Sequence, residues 1–191
     1  MSSSSRVKPT DPSRNALLLA FRDLVLGGRY EDLKVTQIAS RARVARSTFY
    51  MHFRTKDELL MEGLSDPFGA LADAVAPGAP PDDLAATLDH LWENRRVARS
   101  LLTGPMRRPA ANLLAGMIEA RLGVLARGRR VAAPLRLVAH QVAGGQLAAI
   151  TAWVSGEAPC TVPDLAVALR AMSQAVVVSA LGPPLGNGPV R

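Results

Sequence analysis

Side chains that can donate hydrogen bonds to phosphates and to base edges are concentrated between residues 36 and 56. They are Thr36, Arg43, Arg46, Ser47, Thr48, Tyr50, His52 and Lys56. Hydroxyl, ammonium and guanidinium groups fix a protein on a phosphate backbone, and an arginine can also pair with guanine O6 and N7. This stretch therefore predicts nucleic-acid binding.

These side chains need a scaffold that presents them on one side. Residues 35–53, VTQIASRARVARSTFYMHF, predict two short helices, Val35–Arg41 and Arg46–His52, joined by a tight turn. The apolar positions that would lock the two helices together are Ile38, Ala39, Val44 and Phe49. The pattern is typical of a helix-turn-helix, whose second helix enters the major groove of DNA.

The polar positions predict different kinds of contact within this arrangement. Arg46 and Ser47, at the N-terminal end of the second helix, are candidates for contacts to base edges. Phosphate contacts are predicted for Thr36, Thr48, Tyr50 and Lys56. Tyr50 could also pack its ring on a thymine methyl, and Lys56 would act from the first turn of the next helix. His52 is left open between packing within the module and touching a phosphate.

The surrounding sequence predicts an all-α chain. Ser13 is a good N-cap for a first helix that would end at Gly27 and Gly28, and Thr55 with Glu58 has the spacing of a capping box. Further helices are predicted over Asp82–Leu102, Arg108–Arg127, Pro134–Ser155 and Pro163–Ala180. No segment alternates apolar and polar residues as a half-buried strand does.

Residues 14–64 resemble the N-terminal module of the tetracycline-repressor (TetR) family of transcriptional regulators. The resemblance rests on an amphipathic first helix, a glycine turn, VTQIA, VARSTFYMHF and TKDELL, with TFYxHF and the following lysine as its most specific part. Near the C-terminus, TAWVSGEAPCTVPDLAVAL is similar to the connection between the last two helices of the family. The resemblance implies a homodimeric repressor that binds a palindromic operator and is released by a small-molecule effector.

Two residues depart from the family pattern. Arg43 stands where a glycine usually permits a left-handed turn, which costs about 1 kcal/mol if that conformation is kept. Ala45 replaces the usual Ser or Thr N-cap of the second helix, a side-chain acceptor worth about 1 kcal/mol. Neither change removes a group expected to face DNA, and Arg43 could itself contact a phosphate.

The sequence divides into four predicted parts. Residues 1–12 are expected to form a disordered basic arm, and residues 13–56 the three-helix DNA-binding module. Residues 57–181 are expected to form a helical ligand-binding and dimerisation domain, followed by a disordered tail over residues 182–191. The clearest internal breaker is VAPGAPPDD, around residues 75–83.

The second domain offers candidates rather than a defined site. The ligand-binding candidates are His90, Trp92, Met106, Met117 and His140. Ordinary packing explains these residues equally well. The last two helices are apolar nearly all round, which predicts burial both within the subunit and against a partner. The resemblance to the family implies that this partner is a symmetry mate.

Composition and motifs limit the other functions. The net charge of +7 suits a polyanionic partner, although a bias toward arginine codons explains it equally. The single cysteine, Cys160, cannot form an internal disulfide, and no spacing predicts a metal site, a cofactor or a catalytic group. We expect a cytoplasmic protein with no membrane segment. A DNA-processing enzyme would need a nucleophile or carboxylate cluster that is not found, and a DNA-coating protein without an effector remains an alternative.

Overall fold

The structure is a computed structural model that describes residues 11–27, 30–78 and 81–184. The predicted arm and tail lie outside these residues except at their inner ends. Within the described part of the chain there are ten helices and one short two-stranded ribbon. The all-α prediction is therefore confirmed.

The helices and strands of the described residues follow one another along the chain with short connections. The helices are α1 (Pro12–Gly27), α2 (Val35–Arg41), α3 (Arg46–His52), α4 (Lys56–Gly63), α5 (Ser65–Asp73), α6 (Pro81–Glu93), α7 (Arg95–Thr103), α8 (Arg107–Leu125), α9 (Leu135–Val154) and α10 (Val162–Ala180). The strands are β1 (Arg129–Val131) and β2 (Leu181–Pro184).

The chain forms two compact units that meet in sequence between Gly63 and Leu64. The first unit contains α1 to α4, and the second contains α5 to α10 with both strands. The boundary predicted from the sequence lies after residue 56, at the beginning of α4. The compact unit continues to Gly63 because α4 packs against α1.

Helix α1 begins at Pro12, two residues before the first helical position that an N-cap at Ser13 predicts. The Asp11 carboxylate accepts a hydrogen bond from the Ser13 backbone N–H at 2.9 Å, so Asp11 takes the capping position predicted for Ser13. Within the first unit, Leu17 and Phe21 of α1 are buried. Helix α1 therefore forms the apolar backing of this unit.

Helix α4 has the Thr55 cap that was predicted, but the return bond of the capping box goes to the residue before Thr55. The Thr55 hydroxyl accepts from the Glu58 N–H at 3.1 Å, and the Glu58 carboxylate accepts from the Arg54 N–H at 2.7 Å. Buried Leu59 and a two-pronged ion pair between Arg14 and Glu62 hold α4 against α1. These contacts fix the position of α4 relative to α1.

The second unit has a single apolar core that involves all six of its helices. Helices α8 and α9 form its most extensive contact. By length and composition alone, α10 is the one described helix that could cross a membrane, a test that core helices also pass. Its residues Leu165, Leu169 and Val177 belong to the core.

One prediction about the second unit was wrong, and one feature was not predicted. The single helix predicted over Asp82–Leu102 is two helices, because Asn94 leaves the helical conformation and its side-chain amide donates to the His90 carbonyl at 2.9 Å. The short ribbon was not predicted: β1 and β2 pair antiparallel with Val131 opposite Leu181. Strands of three and four residues are too short for alternation to reveal them.

Candidate DNA-binding interface

Helices α2 and α3 have the predicted bounds and are locked together by buried apolar residues. Ile38 and Phe49 are fully buried, and Ala39 nearly so. The turn between the helices is closed by backbone hydrogen bonds, including Val44 N–H to the Ala39 carbonyl at 3.0 Å. This is the geometry of a helix-turn-helix.

Burial of Phe49 determines which side chains of α3 remain outside. Arg46 and Ser47 are exposed, Tyr50 is 48% exposed and Met51 is 78% exposed. The Tyr50 ring meets the Phe49 ring edge to face, with centroids 5.4 Å apart. The α3 face, defined as Arg46, Ser47, Tyr50 and Met51, is therefore a solvent-facing surface on a firmly anchored helix.

Arg46 and Tyr50 are paired on this face. The Arg46 guanidinium lies 5.5 Å from the centroid of the Tyr50 ring, and its Nη2 donates to the Tyr50 hydroxyl at 3.3 Å. The pair holds the long arginine side chain along the helix, which lowers the entropy lost when it docks on a base edge. Arg46, predicted to contact a base, and Tyr50, predicted to contact a phosphate, thus contact each other.

Met51 is a candidate contact residue that the sequence-based prediction missed. It lies one turn after Ser47 and is the most exposed large apolar residue of the described chain. The signal was available in the sequence, since a methionine at i+4 from a polar, outward position faces the same side. An exposed apolar side chain there is suited to a thymine methyl group.

The other predicted contact residues have different surroundings. Thr36 is exposed at the beginning of α2, whereas Thr48 is half-buried. The His52 side chain is only 14% exposed, and its Nε2 lies 3.7 Å from the Asp11 carboxylate at the beginning of α1. Of the alternatives left open for His52, this geometry favours packing within the module.

The two departures from the family pattern are visible in the backbone. Arg43 has a φ of 57°, so the left-handed conformation is kept without a glycine. Its side chain is exposed. At Ala45 the backbone has the extended conformation of an N-cap, but no side chain caps α3.

Lys56 makes contacts that its sequence position did not predict. Its Nζ donates to the carbonyl oxygens of Tyr30, Glu31 and Leu33 at 2.9, 3.0 and 3.0 Å, and lies 4.5 Å from the Tyr30 ring centroid. An ammonium has three N–H groups, and all three are used in these bonds. We call this arrangement the Lys56 clamp; the predicted phosphate contact would compete with it for the same donors.

A second contact supports the clamp. The Tyr30 hydroxyl donates to the Asp57 carboxylate, next to Lys56. Burial raises the pKa of Tyr30 well above its usual value, and the hydrogen bond to the Asp57 carboxylate raises it further. The hydroxyl therefore stays protonated and remains a donor, so the segment between α1 and α2 is held to the beginning of α4 at two points.

The candidates for ligand binding do not share an enclosed position. His90 and His140 are exposed, Met106 is buried, and Met117 is half-buried beside the core. Trp92 stacks on a second tryptophan, with ring centroids 4.8 Å apart. Among the described residues, no group of three or more metal-binding side chains could hold an ion.

The fold of the first unit and the exposed α3 face are those of a helix-turn-helix module. Residues 29–62 match the sequence profile described as "Bacterial regulatory proteins, tetR family". The search of curated proteins found no match. The profile match thus covers the DNA-binding module.

Solved structures show the same fold over nearly the whole chain. A TetR-family regulator from Streptomyces coelicolor A3 (SCO0857) is 18% identical with a TM-score of 0.57, over 91% of this chain and 99% of that one. The dihydroxyacetone kinase operon activator DhaS is 16% identical with a TM-score of 0.55, over 89% and 98%. A TetR regulator from Streptococcus agalactiae 2603V is 23% identical with a TM-score of 0.53, over 84% and 93%.

Residues 29–62 thus match the DNA-binding module of the TetR family, and the chain shares the fold of TetR-family regulators. TetR-family regulators bind DNA.

Replacing Arg43 by glycine tests the cost of the left-handed turn. We expect Arg43→Gly to raise the free energy of unfolding by about 1 kcal/mol, because glycine adopts this conformation without a Cβ clash. Urea denaturation measures it. Arg43→Ala keeps the strain and removes the guanidinium, so it should leave stability nearly unchanged; equal stabilisation by both variants would contradict the account.

Replacing Lys56 distinguishes a clamp from a phosphate contact. We expect Lys56→Ala to lower the free energy of unfolding by about 2 kcal/mol, since three hydrogen bonds from a charged donor are lost. The salt dependence of binding to a random-sequence duplex should stay the same. A direct phosphate contact would instead reduce the salt slope by about one with little loss of stability.

The control for this experiment is Arg54→Ala, which removes an exposed cation just before α4 and leaves the clamp intact. Its stability should match that of the wild type. A Lys56→Ala protein as stable as the Arg54→Ala protein would show that the clamp contributes nothing.

Proposed function

We propose that this protein is a cytoplasmic, homodimeric transcriptional repressor that binds a palindromic operator and is released by a small-molecule effector. The α3 face carries the proposal, because it places a guanidinium, two hydroxyls and an apolar side chain outside a helix whose opposite side is buried. These are the groups that read base edges in the major groove. The first unit would bind DNA, and the second would bind the effector.

The contacts divide into positioning and reading. We assign phosphate contacts to Thr36, Arg43 and Thr48, and base contacts to Arg46, Ser47 and Met51. Tyr50 can serve either purpose, through its hydroxyl or its ring. Lys56 contributes indirectly, because the clamp sets where α4 begins relative to the segment before α2.

The outer faces of α9 and α10 support a dimer. On α10, Val167 is 68% exposed and Val178 is 72% exposed, with exposed Ala171 and Ala175 between them. On α9, Leu137 is also exposed. Contiguous apolar surface of this kind marks an interaction site, and small residues let two helices approach closely. We propose that α9 and α10 pack against their symmetry mates.

An activator is the second candidate. The structure of DhaS, which shares the fold, is described as that of an operon activator. Deletion of the gene distinguishes a repressor from an activator. Transcription of the genes beside the binding site should rise if the protein is a repressor and fall if it is an activator.

Binding-site selection on Arg46→Ala tests the base contact. Loss of a bidentate guanine contact should cost roughly 1 to 3 kcal/mol at the preferred site and relax the preference at one base pair per half-site. The matched variant is Tyr50→Phe, which keeps the ring and removes the hydroxyl that Arg46 bonds. Unchanged base preference in Arg46→Ala would make Arg46 another phosphate contact.

The same selection tests the palindrome. A two-fold dimer presents both recognition helices to one side of the duplex, so selected sites should contain two inverted half-sites on one face. Single half-sites from the wild type would contradict a dimeric reader.

Light scattering tests the dimer. We expect the wild type at micromolar concentration to have twice the mass of one 20.2 kDa chain. Replacing Ala171 and Ala175 together by Glu should give the monomer mass, because four charges would be buried per interface. The control replaces Ala86 and His90 by Glu, two exposed residues with the same spacing on α6. A dimer that survives the α10 substitutions would contradict the proposed interface.

A further inference from the structure

The side chain of Gln146 is buried in the second unit with one polar atom unsatisfied. Gln146 is 2% exposed and lies near the middle of α9. Its Oε1 accepts no hydrogen bond from the described residues. A buried carbonyl oxygen without a donor is uncommon in folded proteins, so each case needs a physical reason.

The orientation of the amide is fixed by its other end. Nε2 donates to the Leu71 carbonyl of α5 at 3.0 Å and to Ser173 Oγ of α10 at 2.9 Å. If the amide were turned over, Oε1 would face the Leu71 carbonyl, and two acceptors would oppose each other. The Oε1 atom therefore keeps its position, with its capacity to accept a hydrogen bond unused by the described residues.

The amide also belongs to a set of contacts that hold the end of α5. Gln174 of α10 donates through Nε2 to the carbonyl oxygens of Ala74 and Ala76, at 3.4 and 3.1 Å. Helices α9 and α10 thus each supply one glutamine to carbonyls at the end of α5. Only the Gln146 amide carries a buried oxygen without a donor among the described residues.

The surroundings limit what can satisfy this atom. Buried residues one turn away along α9 are Val142, Ala143 and Ile150. Gln146 and Ser173 are the buried polar residues of the described chain, so the core of the second unit offers no buried counter-ion. A charged group placed there would lose its hydration without compensation.

We propose that the effector is a neutral, mainly apolar molecule with a hydroxyl group, and that Gln146 Oε1 accepts the hydrogen bond of this hydroxyl. The inference rests on the proposed function, since it names the chemical class of the effector that the second unit is proposed to bind. The hydroxyl of the effector supplies the donor that Oε1 lacks, and the aliphatic core of the second unit suits the apolar remainder of the effector. The same amide donates a hydrogen bond to the Leu71 carbonyl. A ligand that donates a hydrogen bond to Oε1 is therefore coupled to the end of α5 through this amide.

The test compares pairs of probes that differ only in the hydroxyl. Phenol, cyclohexanol and 1-hexanol are each titrated beside the methyl analogue, namely toluene, methylcyclohexane and heptane. Binding is measured by the concentration-dependent rise in melting temperature and by the shift of the Gln146 side-chain amide resonances. At least one alcohol should bind about tenfold more tightly than its methyl analogue, because a buried acceptor penalises a ligand without a donor.

The variant Gln146→Met removes the acceptor and keeps the volume similar. It should bind the alcohol and the methyl analogue equally, which abolishes the tenfold preference. Gln174→Met is the matched control, since it removes a comparable tie to α5 and leaves Gln146 in place; it should keep the preference. If Gln146→Met does not fold, the resonance shift in the wild type decides.

The inference is overturned if no alcohol is preferred by the wild type, if the Gln146 resonances do not respond, or if Gln146→Met keeps the preference. Binding of duplex DNA by the ligand-free wild type is measured separately. A protein that binds DNA without any preference for a hydroxyl overturns this inference alone. A protein that shows the preference but binds no DNA overturns the proposed function alone.

Discussion

The ammonium of Lys56 is the point on which the geometry of the DNA-binding module depends. It satisfies three carbonyl oxygens of the irregular segment between α1 and α2, and it lies against the Tyr30 ring. Backbone groups in such a segment have no helical partners of their own, so they need donors from elsewhere. Because the donor is the first residue of α4, one side chain joins the beginning of α2 to α4 and thereby limits how the helix-turn-helix can tilt.

The surface chemistry follows from the packing that this geometry permits. Phe49 of α3 and Phe53, the residue that follows α3, are buried, with the Arg14 guanidinium 5.2 Å from the centroid of the Phe53 ring. The opposite side of so short a helix must then face solvent. The cost of exposing Met51 and of keeping Arg43 at positive φ is confined to this region, which agrees with the general tendency of functional sites to retain locally unfavourable features.

The sequence predicted the module well where local spacing carries the information. The bounds of α2 and α3 and the capping box of Thr55 follow from residues three or four positions apart. The Lys56 clamp could not be predicted in this way, because it joins residues 23 to 26 positions apart. Gln146 and Ser173 are likewise 27 positions apart within apolar helices. The ligand-binding candidates were chosen by residue type. Burial is decided instead by which side of its helix a residue lies on, and His90 and His140 lie on the exposed sides of their helices.

The α3 face is the surface that we propose meets DNA. Site-specific photo-crosslinking tests it most directly, with a benzophenone side chain placed at position 51 on α3 or at position 99 on α7. Both positions are exposed, and position 99 is an arginine in the second unit, so it is the cationic alternative. We expect position 51 of the full chain to crosslink to bases of a duplex obtained by site selection, and position 99 to give none. Crosslinking from position 99 with none from position 51 would contradict the account.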